Sequence, residues 1–109
     1  MENTEKILAR LKCLKERPKM IIPISSIDYL ALKIYIIGYI DGISLALGKE
    51  LVKDITVWFN KKINQQYSIS WIDIVPSYYK GKSDEELKDL LLDITAQYFL
   101  ENPDWHQSE

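Results

Sequence analysis

One stretch of this 109-residue chain constrains the fold more than any other: residues 26–48 are apolar on every side at helical spacing. A helix that is hydrophobic all round is either buried in a protein or crosses a membrane. Asp28, Lys33 and Asp41 leave only short uncharged runs in this stretch, whereas a spanning helix needs about 20 apolar residues. The pattern therefore predicts a buried central helix, with other helices on several of its faces.

Two glycines, Gly38 and Gly42, lie four residues apart on one side of this predicted helix. Each glycine costs a helix about 1 kcal/mol of intrinsic propensity relative to alanine. Their spacing therefore predicts that a neighbouring helix approaches closely at this side. Ile37 is predicted to be buried, so that Ile37→Asp is expected to unfold the domain.

Length and composition place the chain among single-domain globular proteins, with one domain over residues 1–109. Apolar residues make up 47% and charged residues 28%, while four glycines and four prolines are too few for the turns of an all-β domain. A single cysteine, Cys13, excludes an intrachain disulfide and any metal site built on two cysteine pairs. The N-terminal residues show no apolar signal segment, so a cytoplasmic location is expected.

Periodic apolar residues outside the central stretch predict an all-α fold. Pro18 ends the first helix near Glu16, and Ser25 or Ser26 is expected to cap the central helix. Ser83 and Glu86 have the spacing of a capping box and open the last helix. The prediction is a compact bundle of four main helices and a short fifth helical piece, at 3–16, 26–48, 49–65, 83–101 and 70–79, with a frayed tail from about residue 103.

Candidate catalytic chemistry is sparse. His106 is the single histidine, lies near the C-terminus and is expected to face solvent. No phosphate-binding glycine motif and no nucleophile motif is present. Pairs of acids such as Glu85 and Asp89 share one helix and are interpreted as a solvated face. The sequence therefore predicts a protein that is not an enzyme, with no catalytic residues, metal site or cofactor.

The charge distribution is uneven although the net charge is only −2. Residues 1–81 carry 12 Lys and Arg against 8 Asp and Glu, whereas residues 82–109 carry 2 against 8. These acids are either a solvated helix face matched to the helix dipole or a docking surface for a basic protein. Three aromatic residues do not fit a buried stripe and are predicted to be exposed. The predicted partner-binding residues are Asp84, Glu85, Glu86, Asp89, Asp93, Tyr78, Tyr79 and Trp105.

A series of landmarks along the chain is similar to a family pattern over roughly residues 5–100. The landmarks are Arg17-Pro18-Lys19-Met20, Ser26, Gly38-Tyr39, Trp58-Phe59, Ser70-Trp71 and Asp84-Glu85-Glu86. Their order and spacing resemble small cytoplasmic immunity proteins encoded beside polymorphic toxins, including those of contact-dependent growth-inhibition systems. The chain departs from the pattern after Met20, where Ile21-Ile22-Pro23 stands in place of an aromatic residue and a glycine.

This resemblance implies a bacterial, non-enzymatic antitoxin that binds the C-terminal domain of its cognate toxin, often a nuclease, and blocks its activity. It implies no membrane partner and no direct contact with nucleic acid, and it leaves the oligomeric state open. The alternative is a small helical nucleic-acid-binding or regulatory domain. Its basic face would consist of Lys6, Arg10, Lys12, Lys15, Arg17 and Lys19.

Overall fold

A computed structural model describes the backbone of residues 2–107 and the side chains of residues 3–107. The described residues form five α-helices and one 3-10 turn, without a strand. The helices are α1 (Glu2–Glu16), α2 (Tyr29–Leu47), α3 (Leu51–Ile63), α4 (Trp71–Tyr78) and α5 (Asp84–Glu101), and the 3-10 turn is Pro18–Met20. The predicted all-α fold class is therefore confirmed.

Local capping chemistry explains where most of the helices begin and end. Ser83 and Glu86 form the predicted capping box at the start of α5, and Gly48 ends α2 in the left-handed conformation, with φ of 64°. The expected cap at Ser25 or Ser26 is wrong. Asp28 caps α2 instead, because its side chain accepts a hydrogen bond from the Ala31 backbone N–H at 2.9 Å.

Helix α5, rather than α2, occupies the centre of the bundle. It packs against α1, α2, α3 and α4, whereas α2 packs mainly against α3 and α5. One hydrophobic core joins all five helices. Its fully buried residues include Ile36 in α2, Phe59 in α3, Trp71 in α4 and Phe99 in α5. The prediction of a central helix at 26–48 is corrected accordingly.

Only one stripe of α2 is buried, formed by Leu32, Ile36, Ile40 and Ser44. On the opposite side Ile34 is 65% exposed and Leu45 is 86% exposed. Ile37, predicted to be buried, is half-buried. The prediction of cover on several faces is therefore wrong, because none of the described helices packs over this side of α2.

Helix α2 is also the one helix of the described chain that is long and apolar enough, by length and composition alone, to cross a bilayer. The core helix of a soluble protein can pass the same test. The stripe Leu32, Ile36 and Ile40 packs into the core shared with the other helices. The core that α2 shares with the other described helices is consistent with a soluble protein.

The C-terminal segment up to Gln107 is folded onto the bundle, so the predicted frayed tail is wrong for residues 103–107. Trp105 is 5% exposed, and its indole Nε1 donates a hydrogen bond to Thr4 Oγ1 at 2.8 Å. The Trp105 ring also meets Phe99 edge to face, with centroids 5.2 Å apart. A side chain that packs on two helices holds the chain end in place. Residues 108 and 109 lie outside the described part of the chain.

The two glycines of α2 provide a test of helix propensity, because both are exposed and no described atom would lie within 4 Å of an added Cβ. Gly38→Ala and Gly42→Ala are each expected to raise the free energy of unfolding by about 1 kcal/mol, since alanine is the better helix former. Urea unfolding at low protein concentration measures the change. Gly48→Ala serves as the contrasting variant and should destabilise the protein, because Gly48 has a positive φ. A loss of stability in Gly38→Ala would show that its side of α2 is covered within the monomer.

Candidate protein-binding surface

The first turn of α5 positions two of the predicted contact acids through hydrogen bonds within the chain. The Ser83 backbone N–H donates to Glu86 Oε1 at 3.0 Å, and the Glu86 N–H donates to Ser83 Oγ at 3.2 Å. The bonds from the Ser83 backbone and hydroxyl hold the pKa of Glu86 below its usual value. Glu86 is therefore engaged in capping α5.

Asp84 connects the start of α5 to the start of α2. Its Oδ1 accepts a hydrogen bond from the Tyr29 backbone N–H at 3.0 Å, and its Oδ2 lies 3.7 Å from Lys88 Nζ. Lys88 also donates to the Ile27 carbonyl and pairs with Glu85 at 2.6 Å. Desolvation opposes the charge of Lys88, but the acids raise its pKa overall, led by the hydrogen bond that Lys88 donates to Glu85. Asp84 and Lys88 thus fix the segment before α2, and Asp84 has a structural role.

Three acids, Glu85, Asp89 and Asp93, form a stripe along α5 because they are spaced four residues apart. All three are exposed, and the side chain of Glu85 is 82% accessible. Lys15 of α1 pairs with Asp93 at 2.7 Å, and this hydrogen bond, against a smaller desolvation effect, raises the pKa of Lys15. We call Glu85, Asp89 and Asp93 the acidic stripe.

The predicted aromatic contacts separate in the structure. Tyr78 is 40% exposed at the end of α4, and its ring meets that of Tyr79 edge to face at 5.0 Å. Tyr79 is half-buried against the core. Trp105 is buried, so the prediction that it is exposed is wrong. Tyr78 is therefore the most accessible of the three rings.

Other acids surround a separate groove of about 670 Å³ near the C-terminal end of α5. Glu50, Asp54, Glu101 and Asp104 line it. Lys62 pairs with Glu101 at 2.5 Å, and this bond, followed by bonds from Gln97 and Trp58, lowers the pKa of Glu101. Burial, with Asp54 nearby, raises the pKa of Tyr98 to about 12. Glu101, at the last position of α5, lies about 24 Å along the helix axis from Glu85.

One exposed apolar surface, on α2, was not predicted from the sequence. The exposed side of α2 adjoins a groove of about 600 Å³ between α2, α3 and residues 68–70. Leu45, Val57 and Ile69 line this groove and are all exposed. A helix with apolar residues on every side gives no sequence signal of which side is left open, so this surface could be found only from the packing.

Candidate metal and catalytic groups do not converge in the described part of the chain. It contains no group of three or more His, Cys, Asp or Glu side chains that could hold a metal ion. His106 is half-buried against Trp105 rather than solvent-exposed as predicted, and its buried Nδ1 makes no hydrogen bond with a described residue. Cys13 is half-buried on α1.

Comparison with protein-family models, with curated proteins and with solved structures gives no match.

Proposed function

We propose that this chain is a cytoplasmic immunity protein that neutralises a cognate bacterial toxin domain by stoichiometric binding, without enzymatic activity of its own. The toxin domain would be a nuclease with a basic cleft. The observation that carries the proposal is the acidic stripe of Glu85, Asp89 and Asp93. The resemblance of the landmark residues to immunity proteins supports the same function.

The acidic stripe has properties that suit a basic cleft. Its three carboxylates repeat once per helical turn, about 6 Å apart along the axis, so that they can meet Lys or Arg side chains that would otherwise bind phosphates. The capping box and the four helices around α5 keep the stripe rigid, which lowers the entropic cost of binding. Asp84 and Glu86 accept hydrogen bonds from backbone N–H groups and so support the stripe rather than extend it, whereas Glu85 and Asp93 pair with the side chains of Lys88 and Lys15.

The nucleic-acid-binding alternative has less support. Arg10 donates a hydrogen bond to Tyr35 at 3.2 Å, and Lys15 pairs with Asp93 at the edge of the acidic stripe. α1 packs directly on α5, so Lys15 lies beside carboxylates that would repel a phosphate backbone. A basic cleft of a toxin would be attracted to the same carboxylates, so the immunity function does not face this repulsion.

The direct test is co-expression of this chain with the toxin domain encoded beside its gene. We expect the cells to be protected and the two proteins to co-purify in a one-to-one complex. Neutralising the stripe with Glu85→Gln, Asp89→Asn and Asp93→Asn should slow association about tenfold and weaken its dependence on salt, because exposed acids act mainly on the on-rate. Stopped-flow association at low and high salt measures both effects.

A matched control removes the same charge elsewhere, through Glu5→Gln, Glu16→Gln and Glu50→Gln, three exposed positions outside the stripe. Asp84 is left intact, because Asp84→Asn would weaken its contacts with Tyr29 and Lys88. Equal effects of the two triple variants would rule out the stripe as the docking surface. Absence of both protection and a complex would refute the immunity function.

A further inference from the structure

We propose that the exposed side of α2 is a self-association surface, on which a second copy of this chain packs with its α2 parallel to the first. This inference is independent of the proposed function. We call the surface the α2 face, and its residues are Ile34, Gly38, Gly42 and Leu45. Asp41 and Tyr35 lie on its two flanks.

Exposed apolar area is the first observation. Ile34 and Leu45 stand on either side of two glycines with open space above their Cα atoms. Together the glycines cost about 2 kcal/mol of helix propensity, and no described residue packs against them in return. Glycines at this spacing let the backbone of another helix approach closely, while Ile34 and Leu45 supply apolar contacts. A second helix packed on the α2 face would therefore gain apolar contacts that offset the helix propensity lost at the two glycines.

The charges on the two flanks of the α2 face indicate that the helix packed on it is a second copy of α2. Asp41 is exposed on the side of α2 that faces the α3 groove, and it makes no ion pair with a described side chain. On the other flank Arg10 of α1 bonds Tyr35 and lies 5.9 Å from the centre of the Tyr39 ring. Asp41 and Tyr39 are two residues apart, about 3 Å along the helix axis. The acid and the base thus stand at nearly the same height on opposite flanks.

Two-fold symmetry determines which flanks of the two α2 helices meet, and the charges on those flanks then favour one orientation of the dimer. If two α2 helices pack face to face in parallel, each flank meets the opposite flank of its copy, so Asp41 meets Arg10 twice. If they pack antiparallel, like flanks meet and the two Asp41 carboxylates come together. Opposite charges favour the parallel dimer and like charges oppose the antiparallel one.

The size of the α2 face sets the expected strength. A 19-residue helix is about 28 Å long and 10 Å wide, less than the roughly 800 Å² per partner of a stable interface. We therefore expect a reversible dimer with a Kd on the order of 1–100 µM. A lipid surface is a poorer occupant, because helices that lie on membranes carry Lys and Arg along both edges of the apolar face, whereas one flank of the α2 face carries Asp41.

Sedimentation equilibrium of the purified chain tests the dimer. Gly38→Leu should raise the Kd at least about tenfold, because its side chain blocks close approach, while its Cβ meets no described atom of the monomer within 4 Å. Ala9→Leu is the control, since it also places a leucine at an exposed helix position, on α1, and it should leave the Kd unchanged. A chain that stays monomeric up to about 1 mM overturns the proposal. Equal effects of the two leucine variants also overturn it.

A charge exchange tests the orientation. Asp41→Arg and Arg10→Asp should each raise the Kd about tenfold, and the double variant should return to within about threefold of the original value, because the pair is restored with its signs reversed. Circular dichroism melts below the Kd check that each variant is folded. A double variant no better than the single ones overturns the parallel packing.

Discussion

Ile36→Asp is expected to unfold this protein. Ile36 is fully buried in the stripe of α2 that packs into the shared core. A carboxylate there would lose its water among the apolar side chains of the core, and the isoleucine contacts are lost as well. The cost should exceed about 4 kcal/mol, a large part of the stability of a small domain. Far-UV circular dichroism during urea unfolding measures it.

Two neighbours of Ile36 in α2 serve as matched controls for the same substitution. Ile34 is exposed, so Ile34→Asp should change the free energy of unfolding by no more than about 0.5–1 kcal/mol. Ile37 is half-buried, so Ile37→Asp should fall between the two. The sequence pattern had favoured Ile37 as the core residue. If Ile36→Asp melted within a few degrees of the original protein, α2 would not be packed as described.

The start of α5 and the end of α2 could be predicted, because each depends on a few neighbouring residues. Ser83 and Glu86 are three residues apart, and the chemistry of a capping box is complete within that distance. Gly48 is similar, since a positive φ at the end of a helix selects glycine locally. Asp28 shows the limit of this reasoning: several polar residues could cap α2, and only the path of the preceding chain selects one.

The burial of α2 was not predictable, because apolar residues on all sides leave no periodic signal of the inner face. The choice of inner face depends on how many helices the chain has available to cover α2. In this chain α5 contacts four other helices, and the side of α2 that bears Ile34 and Leu45 is left open. The prediction that Trp105 is exposed was wrong for a related reason, since its hydrogen-bond partner Thr4 lies at the other end of the chain.

The candidate binding residues were predictable as a group but not in their individual roles. Charge counting located the acids after Ser83, and Glu85, Asp89 and Asp93 do face solvent. It could not distinguish them from Asp84, which is bonded to the backbone of α2, because that contact spans 55 positions of the chain. Exposure and pairing therefore have to be known before a contact residue can be chosen.

Trp71→Ala is the second substitution with a large expected effect, about 3–5 kcal/mol of lost stability. Trp71 is fully buried at the start of α4, and it joins two other helices. Its backbone N–H donates to Thr56 of α3 at 3.0 Å, and its indole Nε1 donates to Thr95 of α5 at 3.0 Å. Alanine would leave a cavity that the surrounding helices can fill only in part. A loss of less than about 1 kcal/mol in urea unfolding would contradict this packing.

A double-mutant cycle separates the Trp71–Thr95 hydrogen bond from the packing of the ring. Thr95→Val removes the acceptor and leaves a buried indole N–H without a partner, which should cost about 1–3 kcal/mol. Trp71→Phe removes the donor and keeps most of the ring, although it leaves a smaller gap. Once Trp71→Phe is present, Thr95→Val no longer strands a donor and should cost about 1 kcal/mol less than it does alone. Strictly additive costs would show that the hydrogen bond between the Trp71 indole and Thr95 contributes nothing, and that the side chain of Trp71 stabilises the protein through its packing.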